Sequence, residues 1–461
     1  MNQATTGRAS AVFATGTDPE QMRAILERHL RLPDGPPFDV VRCEPSFTRE
    51  GGSRSLFQYD VTLRDPDGRE WDEVISGVAY GGDRTRKAWQ RLNLADRQAR
   101  PELHVRRAAY VPDLDLILQV FPFDHKLPAL QPLMEGALGG LSDPIMARFG
   151  PGDWRLNEWQ AEPVRYRVDL RASVKLTISA IEQGSGSAAD RRFYAKIYSS
   201  GDQVERAWNV QQDLEIALQA AGEPFGLAPV VAYLPADWVL VHDEVQGISL
   251  RHIARGDDPE RAAEAVRRAA RTVAALHRLP IAAPVHRIEL DRTDPERLRR
   301  FAESLRISRP DLASAVAEIE TEIIARLDAM GRLPSVPVHG DLKPIHFLVE
   351  DDRVVLLDFD KFAVGEPMLD VTSMLMLFRR ERTLGPSLAR IFAEEYFAHA
   401  PEAWEQRLAP HYAWAILVEA SAHAVGLGKN PARANTRRSE KREQTISRLV
   451  EEARAVLAGR V

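Results

Sequence analysis

Apolar residues occur in short strand-like runs along the first half of the chain and at helical spacing along the second half. Runs typical of strands stand at 57–63, 74–80 and 115–121, and a helix is predicted from Asp83 between the last two. In the second half, apolar residues recur every three or four positions, which predicts amphipathic helices. The two clearest series are Ala262, Val266, Ala269, Val273 and Leu276, and Leu312, Val316, Ile319, Ile323 and Leu327. The chain therefore has the element order of an α+β protein.

The pattern of the first strands and their helix occurs a second time. The matching pairs, in the same order in both copies, are Glu44-Pro45 and Glu162-Pro163, 59–63 and 174–178, Gly82-Asp83 and Gly201-Asp202, and Ala88-Trp89 and Ala207-Trp208. Self-similarity of this kind predicts an internal duplication of a strand-rich unit with one helix. Chance matching of short motifs is the alternative.

Four side chains that can handle protons or metal stand at fixed offsets between residues 336 and 370. They are Asp341, His346, Asp358 and Asp360, on two short apolar strands joined by a polar turn. Phosphoryl transfer from a nucleotide needs one carboxylate to orient the acceptor hydroxyl and take its proton, and further ligands to hold magnesium on the phosphates. Two buried strands with an acidic turn would explain any single carboxylate, but the whole set favours a catalytic site.

This stretch resembles the catalytic and metal loops of the aminoglycoside phosphotransferase and choline kinase-like family, a small-molecule branch of the protein-kinase fold. His339-Gly340-Asp341 is similar to the family's H-G-D, and residues 276–280 are similar to its L-H-x-L-P. His346 stands five residues after Asp341, at the position of the catalytic loop's metal ligand. Leu342-Lys343-Pro344 is more similar to the H-R-D-L-K-P-E-N motif of protein kinases than to the corresponding residues of most small-molecule kinases.

The resemblance implies a role for each of these side chains. It implies a catalytic base at Asp341, a γ-phosphate contact at Lys343, metal ligands at His346 and Asp358, and a second-metal or solvent contact at Asp360. A neutral imidazole is a weaker magnesium ligand than an oxygen, so manganese is an alternative at His346.

The resemblance also implies an ATP site upstream of the catalytic stretch. Lys196 is similar to the strand lysine that holds the α- and β-phosphates. Asp243, Glu244 and Val245 stand where the family's hinge meets adenine through its backbone. The turn at 167–171, which replaces the glycine-rich phosphate loop, has no glycine. Aligning Trp89 on Trp208 puts Gly77 at the place of the lysine, so the first copy is not expected to bind nucleotide.

The resemblance, together with the repeated pattern, implies a bilobal protein-kinase-like fold, with an antiparallel-sheet N-lobe, a helical C-lobe and an extra N-lobe-like module before them. The expected divisions are 1–16 as a disordered tail, 17–135 as the degenerate module, 136–246 as the N-lobe and 247–461 as the C-lobe.

Composition narrows the class of protein. The formal net charge of −6 gives no electrostatic case for binding nucleic acid. One cysteine, Cys43, excludes an internal disulfide and fits a reducing compartment. No uninterrupted apolar run approaches the ~18 residues that span a bilayer, so a cytoplasmic protein without membrane contact is expected.

The predicted function is ATP- and magnesium-dependent transfer of the γ-phosphate to a hydroxyl of a small molecule. A catalytically weak pseudokinase or regulatory nucleotide-binding protein is one alternative, and an atypical protein kinase is another. Residues 17–135 could serve docking or self-association. The sequence does not identify the acceptor.

Overall fold

The computed structural model describes residues 11–32, 35–51, 54–92, 99–100, 105–222, 225–281, 295–331, 333, 335–351, 353–380, 385–428 and 436–459. They form two compact units. The first comprises Met1–Trp208 with Pro229–Glu244, and the second comprises Asn209–Ala228 with Val245–Val461.

The first unit begins with a helix and a five-stranded antiparallel sheet of order β1-β2-β3-β7-β6. The elements are α1 (Pro19–Leu30), β1 (Asp39–Gly51), β2 (Arg54–Arg64), β3 (Glu70–Tyr80), α2 (Arg84–Arg91), β4 (Ala99–Arg100), β5 (Val105–Arg106), β6 (Ala108–Val111) and β7 (Leu116–Val120). Helix α1 starts where Asp18 accepts hydrogen bonds from two backbone N–H groups of the first turn. Its buried residues, Met22, Leu26 and Leu30, are four positions apart and so share one face.

A second five-stranded antiparallel sheet follows, of order β12-β13-β10-β9-β8. The elements are α3 (Leu130–Met134), α4 (Ser142–Met146), β8 (Trp154–Arg167), β9 (Arg171–Glu182), β10 (Ala188–Tyr198), α5 (Gly201–Ala221), β11 (Phe225–Leu227), β12 (Val230–Leu234) and β13 (Val239–Asp243). Strand β11 pairs elsewhere. Residues of β9 alternate between buried and half-buried, as the period of two in a strand requires. The boundary between the units falls within α5.

The two sheets share their connectivity. In each, three consecutive strands are followed by a helix, and the last strand of the sheet pairs with the third. Trp89 stacks on Tyr110 in the first at a ring distance of 6.0 Å, and Trp208 stacks on Tyr233 in the second at 5.1 Å. Within the first unit the sheets also share apolar core residues, such as Leu56 of β2 with Val174 of β9.

The second unit is mainly helical. Its elements are β14 (Ile248–Ser249), α6 (Leu250–Ala254), α7 (Pro259–Arg278), α8 (Pro295–Ser308), α9 (Ala313–Met330), β15 (Val336–Val338), β16 (Phe347–Val349), β17 (Val354–Leu356), β18 (Ala363–Gly365), α10 (Met368–Phe378), α11 (Gly385–His399), α12 (Leu408–Gly428) and α13 (Thr436–Leu457). Four strands form a small sheet of order β11-β17-β16-β14, and β15 pairs with β18. The two sheets hold the chain on either side of the predicted catalytic loop.

The predicted α+β fold is confirmed: an antiparallel-sheet part precedes a helical part, with an additional sheet module before both. Residues 11–16, which were expected within a disordered tail, are helical, while residues 1–10 of that tail lie outside the described residues. Within the described part of the chain, no helix is both long and apolar enough to cross a bilayer.

Candidate active site

Asp370 organises the loop that follows β15. Its buried carboxylate accepts hydrogen bonds from the backbone N–H of His339 at 2.6 Å and of Gly340 at 3.0 Å. Gly340 has a φ of +79°, a conformation that glycine adopts without strain. Burial opposes ionisation of Asp370, but its hydrogen bonds, led by the one from His277, prevail and lower the pKa of the carboxyl. An ionised Asp370 therefore fixes the backbone immediately before Asp341.

A chain of hydrogen bonds extends this support into the helices. His277 of α7 places Nε2 3.2 Å from the Asp370 carboxylate and Nδ1 2.8 Å from the Tyr396 hydroxyl of α11. A neutral His277 satisfies both contacts when Nε2–H donates to Asp370 and Nδ1 accepts from Tyr396. The L-H-x-L-P motif thus acts through Asp370.

Asp341 lies at the end of this supported loop with two lysines beside it. Its Oδ2 is 2.7 Å from the Lys343 Nζ and 3.5 Å from the Lys361 Nζ. Burial alone would raise the pKa of Asp341, but the lysines outweigh it and the pKa is lowered. The carboxylate is therefore ionised at neutral pH and can accept a proton. Sequence reasoning missed Lys361, although a basic residue directly after Asp358-Phe359-Asp360 is a signal that could have found it.

His346 and Asp358 lie close together. His346 Nε2 is 3.6 Å from Asp358 Oδ2, and the His346 ring stacks on His339 with centroids 5.3 Å apart. Burial, followed by the nearby His339, lowers the pKa of His346 to about 4, so the imidazole is neutral with a lone pair available. Asp358 has a φ of +68°, a conformation that costs roughly 1–3 kcal/mol and that recurs at functional sites.

The separation of the His346 and Asp358 side chains is compatible with a shared metal ion, but they supply only two ligands. Cis ligands of an octahedral ion at about 2.1 Å stand about 3 Å apart, so a small movement of either side chain closes the 3.6 Å separation. Among the described residues, neither Asp341 nor Asp360 places an oxygen within 4.8 Å of both ligands. Imidazole with carboxylate is a mixed donor set, which suits manganese at least as well as magnesium.

The predicted nucleotide-binding residues at 196 and 243–244 belong to the first unit. Lys196 is half-buried on β10, paired with Ser173 of β9 and Leu240 of β13. The Asp243 carboxylate pairs with Arg148 and the Glu244 carboxylate pairs with Arg192.

The backbone N–H groups of Asp243 and Glu244 also form hydrogen bonds within the first unit. The Asp243 N–H donates to the Pro229 carbonyl, and the Glu244 N–H donates to the Arg192 carbonyl. Val245 opens the continuation of the second unit.

The glycine-free turn at 167–171 is held by the N-terminal module. Asp169, with a φ of +63°, accepts hydrogen bonds from the Tyr80 hydroxyl at 2.7 Å and from Arg54 at 3.0 Å. Its backbone N–H donates to Asp124 at 2.9 Å. Sequence reasoning missed this contact because the partners are 45 to 115 residues away along the chain. The carboxylates of Asp124 and Asp169 with His125 are also close enough together to ligate an ion, but both carboxylates already accept protein donors.

A cavity of about 280 Å³ opens beside Asp341 and Lys343. Its walls come from the catalytic loop, α8, α10, α12 and the residues after α10, all within the second unit. A carboxylate at the edge of a mainly apolar concave space has the form of a small-molecule site.

Comparisons with known proteins give one family match. Residues 185–409 match the model of the phosphotransferase enzyme family. No curated protein sequence matches the chain significantly.

Similar solved structures include three phosphotransferases or kinases. The macrolide 2'-phosphotransferase MphH from Brachybacterium faecium is 20% identical, with 69% of this chain and 98% of that chain covered and a TM-score of 0.37. A choline/ethanolamine kinase family protein from Mesorhizobium loti is 17% identical, with 71% and 98% covered and a TM-score of 0.41. The ADP-bound aminoglycoside phosphotransferase APH(2'')-Ib is 14% identical, with 66% and 95% covered and a TM-score of 0.39.

Proposed function

We infer, because residues 185–409 belong to the phosphotransferase enzyme family, that the chain is a small-molecule phosphotransferase, and we propose that ATP is its donor and a hydroxyl its acceptor. The observation that carries the proposal is the ionised Asp341 at the edge of a cavity of about 280 Å³. A base in that place can accept the proton of a hydroxyl that enters the cavity.

In the proposed reaction the acceptor oxygen attacks the γ-phosphorus of ATP. One P–O bond forms to the acceptor, and the bond from the γ-phosphorus to the β–γ bridging oxygen breaks, which releases ADP. Asp341 orients the hydroxyl and receives its proton. Lys343, bonded to Asp341 at 2.7 Å, would exchange this contact for the negative charge of the transferred group.

Metal and nucleotide ligands follow from the predicted residues. His346 and Asp358 would hold the divalent ion, with Asp360 available to a second ion or to solvent. The bound ion would neutralise charge on the β- and γ-phosphates. Lys196 would pair with the α- and β-phosphates, and the backbone at 243–245 would meet the adenine.

One observation favours the alternative of a catalytically weak nucleotide-binding protein. The same oxygen of Asp341 lies near both Lys343 and Lys361, so the base must give up a favourable contact before it accepts a proton. An atypical protein kinase is less favoured, because a turn, β18 and the start of α10 fill the chain between Asp358 and Asp370.

Calorimetric titration with ATP in Mg²⁺ or Mn²⁺, combined with ADP formation in the presence of a library of hydroxyl compounds, tests the proposal. The phosphotransferase is expected to bind ATP only with a divalent ion and to form ADP in step with a phosphorylated acceptor. ATP binding without any transfer supports the regulatory alternative, and no nucleotide binding contradicts both.

A further inference from the structure

The cavity beside Asp341 has an apolar wall. Phe301 of α8, Leu369, Met376 and Leu377 of α10, and Trp414 and Val418 of α12 contribute side chains to it. Trp414 is 6% exposed and Leu369 is 7% exposed, so these surfaces are already largely removed from water. A ligand that buries an apolar ring or chain against them gains free energy in proportion to the area that it covers.

His411, on α12, lines the same cavity. Its Nδ1 is 2.8 Å from the Arg407 carbonyl oxygen, which can only accept, so Nδ1 carries the proton. Burial lowers the pKa of His411, which keeps the ring neutral and leaves a lone pair on Nε2. The residue is only 5% exposed, and Nε2 has no hydrogen-bond partner among the described residues. A buried acceptor without a donor is unfavourable, and a ligand hydroxyl would supply that donor.

Two hydroxyl groups of α10 add further acceptors to the lining. Thr372 donates its proton to the Met368 carbonyl and Ser373 donates its proton to the Leu369 carbonyl, each at 2.7 Å. Because each hydroxyl has one proton, both oxygens have only lone pairs left for a ligand. On this side, the cavity can therefore accept hydrogen bonds from a ligand.

The charges that line the cavity disfavour a cationic ligand. Asp341 is the one carboxylate among the lining residues, and Lys343 is bonded to it. Arg297 and Arg380 add positive charge, although Arg380 shares its charge with Glu419 at 3.1 Å. A polycation would meet like charges here without the acidic wall that it needs.

We propose, resting on the proposed phosphotransferase function, that the acceptor is an uncharged or acidic polyhydroxyl compound with an apolar body, and that His411 is a specificity-determining residue that receives a hydrogen bond from one of its hydroxyls. The apolar body packs against the wall formed by α8, α10 and α12. The hydroxyl that is phosphorylated faces Asp341, and a second hydroxyl faces His411.

The test measures binding without nucleotide, so that its outcome does not depend on transfer. Phenyl β-D-glucoside and phenyl β-D-glucuronide are titrated into the full chain by calorimetry, beside choline and kanamycin. Both glycosides are expected to bind at least tenfold more tightly than either cation. Tighter binding of choline or kanamycin, or no binding of either glycoside, overturns the proposal.

Variants assign the binding to His411. His411→Leu, which removes the acceptor at similar volume, is expected to weaken glucoside binding about threefold to tenfold, and His411→Gln to recover part of it. His399→Leu is the matched control, because His399 makes the same Nδ1 contact to a carbonyl one turn back, with Glu395 at 2.9 Å, outside the cavity. Equal glucoside affinity in His411→Leu and His399→Leu contradicts the role of His411.

An active-site variant separates failure of this inference from failure of the proposed function. Asp341→Asn is expected to bind the glucoside within about threefold of the wild type while its phosphate transfer falls by about 10²–10⁴-fold. If the wild type binds the glycosides but transfers no phosphate to them or to any other hydroxyl compound, the proposed function fails while the ligand class stands. If it transfers phosphate to aminoglycosides instead, the function stands and the ligand class fails.

Discussion

Replacing Asp370 with asparagine tests whether the buried carboxylate supports the catalytic loop. The side chain keeps its shape but loses its charge and one acceptor oxygen. In the best orientation the remaining oxygen keeps the contacts with His339 and His277. The new NH₂ group then takes the place of the Asp370 oxygen that accepts from the Gly340 N–H at 3.0 Å in the wild type. One donor faces another in a site with no access to water.

The magnitude follows from these contacts. A hydrogen bond to a charged group contributes about 1.5–3 kcal/mol, and leaving a buried N–H without a partner costs about 1–3 kcal/mol. Both figures partly describe the loss of the same contact, so they are not added in full. We therefore expect Asp370→Asn to lower the free energy of unfolding by about 2–4 kcal/mol. The loop before Asp341 should shift, and transfer should fall more than tenfold because positioning of the base is lost.

Urea unfolding and steady-state turnover measure these two effects. Met374→Leu is the matched control, since Met374 is fully buried on the same helix, α10, and the swap conserves volume. Nucleotide affinity should stay within about threefold, because Lys196, Asp243 and Glu244, which are predicted to contact the nucleotide, belong to the first unit. An Asp370→Asn protein as stable and as active as Met374→Leu would refute the assignment of Asp370 as the support of the loop.

Three further predictions concern charge and metal. Lys361→Ala should raise the pKa of Asp341 and move the acidic limb of the kcat/KM profile to higher pH, whereas Lys361→Arg should not; an unmoved limb contradicts the coupling. His346→Asn, with an oxygen in place of the imidazole, should raise turnover with Mg²⁺ relative to Mn²⁺, and an unchanged ratio would argue against His346 as a metal ligand. Burial, with Asp124 beside it, raises the pKa of Asp169 to about 6, above its unfolded value of about 3.9. The folded chain then binds more protons between these values, so its free energy of unfolding should fall by up to about 3 kcal/mol as the pH rises from 4 to 6. Asp169→Asn should remove this component from urea unfolding curves, and identical pH slopes in both proteins would be evidence against it.

The parts of the site that the sequence predicted are those with local signals. Asp341, His346 and Asp358 lie within 18 residues, and the paired strands β16 and β17 join His346 to Asp358, so their proximity needs no knowledge of the whole fold. The pairing of His277 with Asp370 spans 93 residues, and that of Arg54 with Asp169 spans 115. Such contacts depend on the packing of separate elements, which the periodicity of a single sequence does not specify.

The missed secondary structure also has a physical reason. Strand β1 lies at the edge of its sheet and is largely exposed, so it lacks the alternation of apolar and polar residues that marks a half-buried strand. The helical residues at 11–16 are held by tertiary contacts. The Tyr59 hydroxyl donates to the Gly16 carbonyl at 2.7 Å, and Phe13 packs on Phe57 with ring centroids 5.7 Å apart.

The sequence matches that predict a duplication in the first unit include side chains that pack in the structure. The tryptophan and tyrosine of each copy stack on each other, and a residue with positive φ precedes the last strand of each sheet, Asp115 in one and Trp238 in the other. The hydrogen bonds between the N-terminal module and the turn at 167–171 had no such signal in the sequence. They give the module a structural connection to the turn that replaces the phosphate loop.

The central claim is that Asp341 takes the proton of an acceptor hydroxyl, and the Asp341→Asn protein tests it most directly. Transfer of the γ-phosphate to the best acceptor in the hydroxyl library is measured beside ATP affinity in the same buffer. The account predicts that transfer falls by about 10²–10⁴-fold while ATP affinity stays within about threefold of the wild type. Transfer at the wild-type rate by Asp341→Asn would contradict it.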